Sequence, residues 1–273
     1  LEVILKLAIV YILMLFDADK LKLYAVLMFI TTLIIRFAYS LYCRRTYTEF
    51  KYSFYWDRGL FQTLLGFSGW NLFGAIASVL NNQGINILLN VFFNPIVNAA
   101  RGIAYQINTA VNQFVQNFMM AVKPQITKYY AEGNISDMHK LIFRSSKFSF
   151  FLLAILTMPI ILETPFILGL WLVEVPEYAI IFTRLILIVA LIDSLSYPLM
   201  TAAQATGNIK KYQSVVGSVL MLNVPISYVF LKFGLSPEIT LYIAIFVSVT
   251  CLMLRLMLLQ NMVNLSIRFF LQK

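Results

Sequence analysis

Long apolar runs, separated by short polar breaks, recur from one end of this chain to the other. A stretch of about 20 residues in a helix is enough to cross the hydrocarbon of a bilayer. Eight runs read as helices, at 1–16, 21–43, 60–92, 95–122, 141–172, 178–203, 212–233 and 238–262, the first of them short of a full span. The fold class expected is all-α, a polytopic integral membrane protein of about eight transmembrane helices. Composition decides against a soluble alternative: 60% of the 273 residues are hydrophobic and 12% charged, where a soluble domain carries about 25% charge. One soluble core of this size cannot hide that much apolar surface, so lipid must cover part of it.

The breaks carry their own chemistry. Asp17 and Asp19 mark a tight hairpin, and Asn94 with Pro95 ends one helix and opens the next, proline being suited to a first helical turn. Gly133 with Asn134 and Gly207 with Asn208 read as helix stops, as do Gly234 and Pro237. Aromatic and charged residues alternate in 44–61, which reads as an interfacial linker, and 129–147, containing the one histidine, His139, reads as a second interfacial stretch.

The net charge of +9 raises nucleic acid as a partner, but the cations lie at the ends of apolar runs and form no basic stripe. Membrane topology explains them instead. One face collects fourteen cations, Arg44, Arg45, Lys51, Arg58, Lys123, Lys128, Lys140, Arg144, Lys147, Lys210, Lys211, Arg255, Arg268 and Lys273. The other holds five, Lys20, Lys22, Arg101, Arg184 and Lys232, alongside six acids. By the positive-inside rule both ends of the chain are expected to be cytoplasmic, with eight crossings of the membrane. Leu1 opens directly inside an apolar run without a charged leader region, so the chain is expected to begin partway through a longer protein. Cys43 and Cys251 are far apart and read as packing residues.

Polar residues inside the apolar runs are the functional signal. The stretch 81–117 contains thirteen Asn and Gln residues, no acid and a single base, Arg101. Asn82, Asn86 and Asn90 share one helix face, and Arg101, Tyr105, Asn108 and Asn112 share another, with Gln116 one turn further on. Amides cost less to bury than charges and both donate and accept, which suits sugar hydroxyls in a wet cavity. They also fasten membrane helices together, although such pairs average only about 0.6 kcal/mol. The stripes together favour a cavity; for a single amide, helix fastening is the simpler role. Arg101 is the first candidate for an anion, since a guanidinium fork matches phosphate oxygens, with snorkelling to headgroups the alternative.

Asp193 is the one acid well inside a complete span, a candidate for ion coupling or a carboxyl bonded to a neighbouring helix. Arg184 is out of phase with it on the same helix and cannot pair with it there. Glu2 and Lys6 are four apart and can pair, and Arg36 reaches headgroups or a cavity. Pro198 and Pro225 permit kinks. Enzyme readings fail on inventory: one histidine allows no zinc cluster, and neither a paired acidic motif nor a phosphate-cradling glycine loop is present. No cofactor or metal is expected.

Further motifs are GFSGWNLFG at 66–74, NQGINILLNVFFNP at 82–95, VNAARGIA at 97–104, PQITK at 124–128, YAEG at 130–133, SSKFS at 145–149 and AQATG at 203–207. In these the chain resembles the polysaccharide transporters, the O-antigen-type flippases, of the multidrug/oligosaccharidyl-lipid/polysaccharide exporter superfamily. Asn94 stands where that pattern would have glycine. The resemblance implies a two-lobed transporter, with 1–43 the last two helices of the first lobe, 44–61 the interlobe linker and 62–273 the six-helix second lobe. It implies flipping of an undecaprenyl-diphosphate-linked oligosaccharide by alternating access, coupled to an ion gradient, with cavity cations on the diphosphate and amides on the sugars. The expected partners are that lipid-linked substrate, membrane lipids and a missing N-terminal half. A multidrug cation antiporter, a membrane-embedded sugar-transfer enzyme and an inactive structural fragment are the alternatives.

Overall fold

The computed structural model describes residues 2–15, 19–47 and 55–272. Among these the chain is helical with no strand, and it divides into two units, Leu1–Arg58 and Gly59–Lys273. The boundary falls inside the stretch read as a linker; 48–54, the core of that stretch, lies outside the described residues, as do Asp17 and the side chain of Glu2.

The first unit pairs α1 (Glu2–Leu15) with α2 (Lys20–Thr46). Asp19 starts α2 by accepting from the backbone N–H groups of Leu21 and Lys22, at 3.2 and 3.4 Å. Arg44 and Arg45 occupy its last turn, where the helix dipole favours cations. Arg36 is exposed on the same helix. Phe29, Phe37 and Tyr39 are exposed along α2, an apolar surface that water would penalise and a bilayer would not.

The second unit begins with α3 (Arg58–Phe92) and α4 (Pro95–Ala131). Between them the Asn94 side chain accepts from the Val97 N–H at 3.1 Å and Pro95 fills the first turn, as the sequence predicts. The sequence reading stops this helix at Val122, but α4 continues through Pro124 for 37 residues, about 55 Å of rise. That exceeds the ~30 Å hydrocarbon, so its Lys123–Lys128 end reaches past the apolar layer, where proline costs little.

The run at 141–172, expected as one helix, is two: α5 (Ile135–Leu162) and α6 (Thr164–Trp171). Three features break it. Thr164 turns its hydroxyl back to the carbonyls of Ile160 and Ile161, at 2.6 and 3.1 Å. Pro165 follows in the first turn of α6. Arg184 donates to the carbonyls of Ile161 and Leu162, at 3.0 and 3.4 Å, satisfying acceptors that the broken helix exposes. At the other end Asn134 caps α5, which begins six residues earlier than expected.

The remaining helices are α7 (Ala179–Ala205), α8 (Lys210–Lys232), α9 (Ile239–Val263) and a short α10 (Ile267–Gln272) that the apolar runs do not reveal. Gly133, Gly207 and Gly234 carry φ of 73°, 71° and 82° at the helix stops read from sequence, a region closed to most side chains. Pro198 and Pro225 lie inside α7 and α8. Helix α7 is the hub, packing against α4, α5, α6 and α9 with an almost continuous set of buried residues from Phe182 to Ala203. His139 lies in α5 with its ring Nε2 2.9 Å from the Val263 carbonyl at the end of α9. Cys43 is half-buried and Cys251 buried, both as thiols.

By length and apolar composition six helices qualify as membrane spans, α2, α3, α5, α7, α8 and α9. The two missing from the expected eight have physical reasons. Helix α1 has 14 described residues, and α4, though long enough, is diluted by its amides. The chain is a multi-pass helical membrane protein.

Candidate functional site

The amides of α3 and α4 meet in the second unit, on the wall of a cavity of about 530 Å³ enclosed by α3, α4, α7, α8 and α9. Four groups of side chains build it. At the α3–α4 seam the Arg101 guanidinium is 5% exposed and lies 4.4 Å from the Tyr105 ring centroid. It donates to the Asn86 side-chain oxygen, to the Tyr105 hydroxyl at 3.1 Å and to the Asn82 oxygen at 3.4 Å. Tyr105 in turn donates to Asn82 at 3.1 Å. Arg101 Nε is buried with no hydrogen-bond partner. Among the described residues no carboxylate forms an ion pair with this cation, and a buried charge held only by neutral groups demands an anion or water.

Along α4 the Asn112 amide donates to the Asn108 oxygen at 2.6 Å, and Tyr197 of α7 donates to Asn112 at 3.1 Å. Gln116, half-buried, follows one turn beyond Asn112 on α4, near the same tyrosine. Across the chamber, Asp193 of α7 accepts from the Ser248 hydroxyl of α9. Arg255 of α9, 6% exposed, donates to Ser196 at 3.0 Å and to the Tyr212 hydroxyl of α8 at 3.2 Å. Asn81 and Asn71 of α3 complete the ring, accepting from Asn223 at 2.9 Å and Gln213 at 3.3 Å on α8.

Asn82, Arg101, Tyr105, Asn108, Asn112 and Asp193 therefore line one space. Asn86 stands behind Arg101 as its acceptor, and Gln116 borders Tyr197. Asn90 is separate: it is exposed, one turn beyond Asn86, and does not line the cavity. Cavity and helix fastening turn out not to be exclusive, because the amides that line the space also bond across it from helix to helix.

Arg255 is the main residue the sequence reading misplaces. Counted there among the cations of a membrane face, it is buried in the chamber. Its position eight residues inside the α9 end, flanked by Leu254 and Leu256, was the available signal. Tyr197 of α7 and Tyr212, Gln213 and Asn223 of α8 were missed because they form no amide stripe like those of α3 and α4; only packing gathers them. Gly74 and Gly217 let α3 and α8 approach: a methyl group at Gly217 would stand 3.0 Å from the Phe73 ring, and one at Gly74 would collide with the Gln213 amide. Among the described residues no three His, Cys, Asp or Glu side chains cluster to hold a metal. The chain matches no family model, no curated protein and no solved structure.

Proposed function

We propose that this chain carries the second lobe of an alternating-access exporter that flips an undecaprenyl-diphosphate-linked oligosaccharide across the bacterial cytoplasmic membrane. The observation that carries the reading is the chamber: amides, phenols and two buried arginines face one space among apolar helices. Amides and phenols present paired donors and acceptors to hydroxyl-rich ligands. Arg101, without a carboxylate, supplies the charge for a diphosphate, and its unpartnered Nε is a free donor for it. The Pro198 and Pro225 interruptions of α7 and α8 suit helices that bend as a cavity changes the side it faces. The proposed topology has eight crossings with both ends cytoplasmic, α1 and α4 supplying the two beyond the six apolar spans.

A surface-polysaccharide complementation assay on the intact protein tests this. Arg101→Ala should abolish polysaccharide export while the protein still reaches the membrane; export at the unsubstituted level would remove the diphosphate role from Arg101. Asp193, the one carboxylate on the chamber wall, favours a second reading, export of organic cations. A knockout with multidrug sensitivity and normal polysaccharide would favour that reading over the first.

A further inference from the structure

On the side of α7 away from the chamber lies a second concavity, about 610 Å³, formed by α5, α7 and α10. Leu195, its α7 contribution, is two residues from Asp193 and so points to the opposite side of the helix. The floor is apolar, with Phe143, Phe150 and Phe151 of α5, Leu195, and Phe270 of α10. Phe143 and Phe270 rings meet at 5.8 Å, so α10 closes one end. Ser146 adds no free polar group, since its hydroxyl donates to the Leu195 carbonyl at 3.1 Å.

The rim is cationic. Lys140, Arg144 and Lys147 are spaced four and three apart, which puts them on one face of α5 within about 10 Å of rise. Lys140 is neutralised by Asp137 at 2.8 Å. Arg144 and Lys147 are exposed, and the Lys147 ammonium stands 5.9 Å from the Phe151 ring centroid. No acid lines the groove. Helix α5 has 28 residues, about 42 Å of rise, which leaves its first eight or so residues beyond a ~30 Å hydrocarbon layer. Arg144 and Lys147 then lie about 3 and 8 Å inside that boundary, from which their long stems reach the headgroups, with Phe150 and Phe151 deeper, among acyl chains.

We propose that this groove binds an anionic membrane phospholipid, with its phosphodiester between Arg144 and Lys147 and one acyl chain along the phenylalanine floor. Two uncompensated cations above an apolar slot match a ligand with one negative head and one greasy chain, and basic pockets between spanning helices hold such lipids. The assignment does not depend on what the chamber carries, because α7 separates the two sites.

The test is native mass spectrometry of the intact protein, released from detergent with dioleoylphosphatidylglycerol or dioleoylphosphatidylcholine, which share their chains and differ in head charge. The unsubstituted protein should retain the anionic lipid about thirtyfold better, the effect of two near-surface cations. The double variant Arg144→Gln with Lys147→Gln should lose that preference while eluting as the same monodisperse species. The charge-keeping Arg144→Lys should retain it, and Lys210→Gln with Lys211→Gln, removing two exposed cations elsewhere, should leave it unchanged. Leu195→Trp, which fills the slot, should lower retention of both lipids. Equal retention of the two lipids by the unsubstituted protein would overturn the proposal. So would a preference that survives the Arg144/Lys147 change, or one that the Lys210/Lys211 change removes equally well.

Discussion

Arg101 and Arg255 share a chamber but are held differently, and the difference sets what each substitution should do. Arg255 bridges three helices through the hydroxyls of Ser196 and Tyr212. Arg255→Met would leave those hydroxyls without a partner, at a cost of about 1–3 kcal/mol, so thermal unfolding in detergent should shift downward together with loss of transport. Arg101 already has an unpartnered Nε, and Arg101→Lys keeps the charge while losing the fork. Transport should fall in that variant while the unfolding temperature changes less than for Arg255→Met; the reverse order would make Arg101 the structural residue. Asp193 permits a cleaner separation of charge from structure. Asn at that position still accepts from Ser248 through its side-chain oxygen, so Asp193→Asn should fold normally. Its transport, followed in everted vesicles with and without an ionophore, should no longer respond to the ion gradient. An unchanged response would place coupling elsewhere.

At the scale of elements, the walls of the chamber depend on how closely α3 and α8 approach. A methyl group at Gly84 would stand 2.7 and 3.0 Å from the two Val224 methyls, and valine is stiff at χ1. Gly84→Ala should therefore cost about 1–3 kcal/mol, as overpacking does. At Gly74 the obstacle is the far end of Gln213, which can swing aside and forfeit only its 3.3 Å bond to Asn71. Thermal unfolding should rank Gly84→Ala below Gly74→Ala; the opposite ranking would mean that the helices can slide apart at Val224. The break between α5 and α6 belongs to this scale too. Sequence continuity of apolar residues across 141–172 hides it, because hydropathy does not register the Arg184 side chain that arrives from α7 to take the freed carbonyls.

For the whole molecule, the proposed topology and chamber can be probed together in a cysteine-free background. Cysteines at Gly133 and Asn208 should be labelled from the cytoplasmic side and one at Leu235 from the opposite side. Cysteines at Asn82, Asn108 and Asn112 should react with a water-soluble maleimide in the transport-competent protein, whereas one at lipid-exposed Phe246 should not. Protection of all three chamber positions would mean that the space is closed to water. The helical class, the helix stops and the two amide stripes were legible in the sequence, because each is local: a period, a glycine that must reach positive φ, a proline that suits a first turn. The positions of Asn90 and Arg255 were not. Asn90 continues the face of Asn82 and Asn86 yet passes the end of the chamber, and Arg255 points into it from a helix with no other charged residue. Periodicity determines which side chains share a face. Which faces meet around a common space depends on how α3, α4, α7, α8 and α9 pack, and those contacts join residues far apart in the chain.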